Sequence, residues 1–161
     1  MRPIHLLFPL LLLTLLPALA GHSPPKILLR VHVQTTGDGL SPQQATTVTL
    51  PNDGETIQIR TFPEVTEQEL IGVKADAAGN LQLFFNHQGQ VNLSAVTAEN
   101  QGRLLVVMIG ANIGYPIYAP MIDTQITNGE LDIPHTHPLP PEVVQLLQDE
   151  AKENVRQATR S

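Results

Sequence analysis

Leu104-Leu105-Val106-Val107-Met108-Ile109 is an unbroken apolar run that begins directly after Arg103. It is too short for an amphipathic helix and lacks the alternation of a half-exposed strand. It therefore predicts a strand covered on both faces, at the centre of a sheet. A strand of that kind needs partners at its edges and an apolar layer above and below, and the flanking sequence offers both.

On the amino-terminal side, residues 26–34 alternate. Ile27, Leu29, Val31 and Val33 fall on one face and Leu28, Arg30, His32 and Gln34 on the other, the pattern of a half-buried strand. Residues 46–50 and 56–62 repeat the habit around Pro51-Asn52-Asp53-Gly54, whose turn chemistry predicts a hairpin. Two glycines and a proline make residues 37–42 a loop. Residues 70–75 and 81–85 form a further strand pair around Ala77-Ala78-Gly79-Asn80, and residues 91–101 suit a short helix lying on a sheet. On the carboxyl-terminal side, Pro116, Pro120 and Gly114 predict a loop or irregular strand over residues 111–120. Residues 121–126 and 130–133 flank Thr127-Asn128-Gly129, an Asn-Gly hairpin signal. The chain then ends in a helix from Pro141 to about Val155, its apolar stripe built on Val143, Leu147 and Ala151. The class is α+β: mainly antiparallel sheet, with a short helix and a C-terminal helix on one face.

Residues 1–20 read as an export signal. Arg2 is the positive end, residues 6–16 are apolar apart from Pro9 and Thr14, and Pro17-Ala18-Leu19-Ala20 closes in a small-x-small pattern. The apolar run falls short of the ~20 residues of a bilayer-spanning helix, so cleavage after Ala20 and a periplasmic or secreted location are expected. The division is then 1–20 signal peptide, 21–55 N-terminal strands and loop, 56–156 main domain, and 157–161 frayed tail. The whole chain carries a formal charge of −6, and losing Arg2 leaves eight basic against fifteen acidic residues. That field repels phosphate backbones and anionic lipid, so nucleic acid is not an expected partner. The absence of cysteine excludes disulfides, thiol nucleophiles and Cys-ligated metals.

Catalytic patterns are missing. Ser23, Ser41 and Ser94 lack a G-x-S-x-G elbow, and the G-x-G of Gly37 and Gly39 has no helix start behind it. Two groups could carry function. His135 and His137, two apart in an extended loop beside Asp132, could converge on Zn²⁺ or Cu²⁺, or could be solvated side chains of a proline-flanked linker. Tyr115, Ile117 and Tyr118 could be binding anchors, or could pack over the core. His32 and His87 read as ordinary surface or packing residues.

The order of motifs resembles the first large periplasmic domain of SecD, the accessory subunit of the bacterial protein translocon. Four blocks carry the resemblance. They are residues 56–66 with Leu70-Ile71-Gly72-Val73, Leu81-Gln82-Leu83-Phe84-Phe85 followed by Gly89 and Val91, Thr97-x-x-Asn100-x-Gly102-Arg103 leading into the apolar run, and Ala119-Pro120-Met121-Ile122 with residues 125–133. The resemblance implies a ferredoxin-like sandwich, here with extra N-terminal strands, and a contact with extended polypeptide or another envelope protein. This chain departs from SecD in lacking its transmembrane helices and in having Ile109-Gly110 where an acidic residue and glycine are usual. The expectation is an exported, non-catalytic binding module without a cofactor, with a metal site on Asp132, His135 and His137 as the alternative.

Overall fold

The computed structural model describes residues 27–36, 43–51, 54–110, 114–134 and 139–160. The expected export signal, the expected loop at 37–42 and the His135 to His137 segment lie outside the described residues. In chain order the elements are β1 (Leu28–Val33), β2 (Ala45–Thr49), β3 (Thr56–Arg60), β4 (Val65–Thr66), a 3₁₀ turn (Glu67–Glu69), β5 (Leu70–Ala75), β6 (Leu81–Phe85), α1 (His87–Glu99), β7 (Leu105–Gly110), β8 (Tyr115–Tyr118), β9 (Glu130–Ile133) and α2 (Pro141–Ala158). The class is α+β with antiparallel pairing throughout, and the strands divide over three ladders in the orders β4-β1-β7-β8, β2-β3 and β5-β6-β9.

β7 occupies an interior position of the four-stranded sheet, between β1 and β8. The apolar run is explained by two separate cores. Leu105, Val107 and Ile109 face the main core with Leu29, Val31, Leu83, Leu93 and Leu147. Val106, on the other face, joins Leu50, Ile57 and Ile59 of the β2–β3 hairpin in a small second core, with Leu104 and Met108 packed against it. A strand sandwiched in this way cannot alternate, because neither side meets water.

The hairpin forms as the sequence predicts, with Thr46 opposite Ile59 and Val48 opposite Ile57. Gly54 sits at φ +72°, a conformation that side chains resist, and the Leu50 N–H donates to the Glu55 carbonyl at 2.8 Å to close the turn.

α1 begins one turn before the expected start. Asn86 caps it, its Oδ1 accepting the Gly89 N–H at 2.9 Å. Before β5, Thr66 and Glu69 form a reciprocal capping box at the 3₁₀ turn, with the Thr66 N–H donating to Glu69 Oε2 at 2.8 Å. α2 runs to Ala158, beyond the expected end near Val155, and Val155 is exposed rather than part of the buried stripe. Leu147 and Ala151 are its buried residues, and Asn154 Nδ2 fastens it by donating to the Glu67 carbonyl at 2.7 Å and the Leu70 carbonyl at 2.8 Å.

The expected Asn-Gly hairpin does not form. Met121 makes a single bridge to Leu104, residues 122–129 are not strand, and β9 pairs with β6. The backbone of this segment finds its hydrogen bonds elsewhere. Ile122 N–H donates to the Arg103 carbonyl at 2.8 Å, Ile126 N–H to Thr97 Oγ1 at 2.9 Å, and the Thr127 carbonyl accepts from Gln90 Nε2 at 2.6 Å. Gly129 still needs its φ of +72°, but for an Asx-type turn in which Asn128 Oδ1 accepts the Glu130 N–H at 3.1 Å.

Candidate functional site

β8 is irregular for a local reason. Ile109 lies opposite Tyr115, Met108 opposite Pro116, and Val107 opposite Tyr118, so Ile117 is an extra residue in a bulge. The bulge breaks the usual alternation and turns Ile117 and Tyr118, neighbours in sequence, both onto the main core, where they are half-buried. Tyr115 stays 69% exposed. Of the three expected anchors, one faces water and two are shared between packing and surface.

Tyr118 also stands where two hollows meet. One, of about 510 Å³, runs along residues 120–128 and reaches Glu130 and Asp132. The other, of about 660 Å³, is floored by Ala75, Leu81 and Ile133 and rimmed by Lys74, Asp76 and Asp132. Tyr118 and Asp132 line both. Partial burial raises the Tyr118 phenol above its ordinary pKa, and the nearby Asp132 carboxylate adds to the effect, so the hydroxyl is neutral and able to donate at physiological pH.

Asp132 is exposed on β9, while its expected metal-binding companions His135 and His137 lie outside the described residues. Among the described residues no group of three or more His, Cys, Asp or Glu side chains is arranged to hold a metal ion.

His32 is a packing residue. It is 4% exposed between β1 and the hairpin, and its Nδ1–H donates to the Arg60 carbonyl at 2.8 Å. Burial pushes the imidazole below its ordinary pKa and Arg30 adds to this, against the opposing influence of the Arg60 carbonyl and of Glu64. His32 therefore binds a proton more readily in the unfolded chain. Its contribution is complete above an unfolded pKa of about 6.5 and is lost as pH falls towards the depressed folded value, at up to about 1.4 kcal/mol per pH unit. Urea titrations between pH 7 and pH 5 should show this slope, and His32→Gln should reduce it; an unchanged slope would place the proton uptake elsewhere.

The Thr97 to Arg103 block, singled out in the sequence, has structural work. Thr97 Oγ1 donates to the Leu93 carbonyl at 2.7 Å while accepting from Ile126, Asn100 Nδ2 donates to the Val96 carbonyl at 2.8 Å, and Gly102 takes φ +78° to turn the chain into β7. These residues lock the end of α1 to the segment that walls the first hollow. Sequence reading missed the polar side chains of α1 that hold that segment in place: Gln125 Nε2 donates to Ser94 Oγ at 2.8 Å, and Gln90 Nε2 donates to the Thr127 carbonyl at 2.6 Å. Exposed polar side chains on a helix carry no signal for such a contact.

No protein-family model matches the chain, and no curated protein matches it. Solved structures do. A structure of SecDF, a membrane component that enhances protein export, aligns over 80% of this chain and 63% of its own, with 18% identity and a TM-score of 0.54. SecDF in a super-membrane-facing form aligns over 78% of this chain and 18% of its own, with 18% identity and a TM-score of 0.51. This chain thus spans less than two thirds of the SecDF chains it matches, and no helix among its described residues is long and apolar enough to cross a membrane. At that identity the likeness is one of fold, and the fold is SecD-like: antiparallel strands and two helices in an arrangement found within SecDF.

Proposed function

We propose that this chain is an exported, non-catalytic binding module of the cell envelope that contacts polypeptide in extended form. The observation that carries the reading is the pair of hollows meeting at Tyr118, bordered by the exposed Met121 and following directly on the exposed Tyr115. One hollow, floored by Ala75, Leu81 and Ile133, is mainly apolar, and the other is lined largely by polar side chains, a combination that suits a chain offering different side chains to either side. The fold shared with SecDF, a component that enhances protein export, supports the same reading, as does the leader-like composition of residues 1–20. No serine elbow, phosphate cradle or thiol suggests a reaction.

A reduced and alkylated polypeptide that cannot refold, carrying a fluorophore, is the probe. Saturable binding by anisotropy is expected. Tyr115→Ala should weaken it by about 1 kcal/mol, roughly fivefold, with the melting temperature nearly unchanged because the ring is mostly in water. Tyr118→Ala should lower both binding and stability, since that ring is packed on the core as well. Absence of saturable binding to the parent protein would overturn the reading.

A further inference from the structure

We infer that β9 receives a basic extended segment as an added strand, with a Lys or Arg of that segment placed beside Asp132. This rests on the polypeptide-binding reading and names the edge and the chemistry of the ligand.

Among the described residues β9 pairs with β6 alone. The phase of that ladder is set where the Phe85 N–H donates to the Gly129 carbonyl at 2.9 Å. Antiparallel pairs alternate between bonded and non-bonded, so Leu131 and Ile133 turn their backbone groups to β6, and Glu130 and Asp132 turn theirs to the open side. The Glu130 N–H is already taken by Asn128 Oδ1. Asp132 keeps both its N–H and its carbonyl outward, with no bond to a described residue. An antiparallel strand laid here would exchange two backbone hydrogen bonds with Asp132 and accept register from the Glu130 carbonyl. The opposite edge of the same sheet, β5, is packed against α2. β8, across the first hollow, carries Pro116 and the bulge, which break a regular ladder.

Charge selects the ligand. Asp76, Asp123, Glu130 and Asp132 line the two hollows against a single cation, Lys74. That cation is engaged over the Phe84 ring, 4.6 Å from its centroid. Asp76 is tied to Asn80 and Glu130 to Gln82, whereas the Asp132 carboxylate has no hydrogen bond among the described residues. The net charge of −6 steers cationic segments towards this edge and sets two copies of the chain against each other. A foreign basic strand is favoured over self-association for that reason.

Three synthetic peptides of equal length, alternating Val or Thr with Lys, Gln or Glu, separate the outcomes when binding is followed by anisotropy and amide exchange by NMR. The lysine peptide is expected to bind at least about tenfold tighter than the glutamine peptide at low salt, to lose that advantage at high salt, and to protect the Asp132 amide. Asp132→Asn should weaken the lysine peptide about fivefold and leave the glutamine peptide unchanged, and Asp149→Asn on the exposed side of α2 should change neither. Equal binding of the lysine and glutamine peptides, or binding with an unprotected Asp132 amide, overturns the inference while leaving polypeptide binding in place. Failure of every peptide and of the unfolded probe overturns both. Protection of Asp132 that rises with protein concentration in the absence of peptide assigns the edge to a second copy and overturns the inference.

Discussion

Leu147→Ala is expected to unfold roughly 10 °C below the parent chain, a loss of about 3 kcal/mol. Leu147 is fully buried and α2 lies over β5, so the truncation opens a cavity in the main core rather than relaxing at the surface. Leu147 and Ala151 are the buried residues of the helix, Val143, Val144 and Leu146 add half-buried contacts at its amino-terminal end, and Asn154 adds a pair of hydrogen bonds. Val155→Ala, on the exposed side, should stay within about 0.5 kcal/mol of the parent. Calorimetry on the two variants checks the contrast; a loss below about 1 kcal/mol for Leu147→Ala would mean that the helix is held by something other than this packing.

The second large effect has a sign that helix propensity alone would get wrong. In the middle of a helix, replacing glycine by alanine stabilises by up to about 1 kcal/mol. Gly89 of α1 is different, since a Cβ there would lie 2.8 Å from the Cβ atoms of both Glu69 and Phe85. Neither neighbour is the free end of a flexible side chain, so the helix must move off β6 and the 3₁₀ turn. Gly89→Ala should therefore destabilise by about 1–3 kcal/mol, and a urea unfolding curve with an unchanged slope and a lower midpoint would show it. A stabilised Gly89→Ala variant would mean that α1 is free to shift away from Glu69 and Phe85 at no cost to its packing.

Most strands were legible because burial on one face forces a period of two. Leu29, Val31 and Val33 in β1, and Leu81, Leu83 and Phe85 in β6, are buried in that alternation. The central run in β7 was legible for the opposite reason, its lack of any period. What sequence could not show was partnership. Asn128-Gly129 specifies a tight turn, and a turn is present, yet nothing local says whether the residues before it will pair with those after it or be drawn away by Thr97, Gln90 and Arg103. The same holds for the site. Tyr115 and Tyr118 could be named from a proline-rich loop, but their different exposure follows from one extra residue in β8, and a bulge leaves no reliable mark in composition. Asp132 was named for a metal, whereas its outward backbone depends on a hydrogen-bond phase visible only once β9 is paired with β6.

The pairing of β1 with β7 sets Leu28 against Gly110 and Val33 against Leu105, strands far apart in sequence with five strands and a helix between them. Closing so long a loop costs entropy before the contact repays it, which makes the main sheet a late event in folding. A chain delivered from its amino terminus holds β1 ready well before its principal partner arrives. Through that interval Leu29, Val31 and Val33 have no cover from β7, while the β2–β3 hairpin, whose partners are local, can already close. Sequence-local assembly thus precedes the sheet that both cores depend on, and the early chain presents a sticky, strand-ready segment that a holdase or a fast rate of delivery would protect.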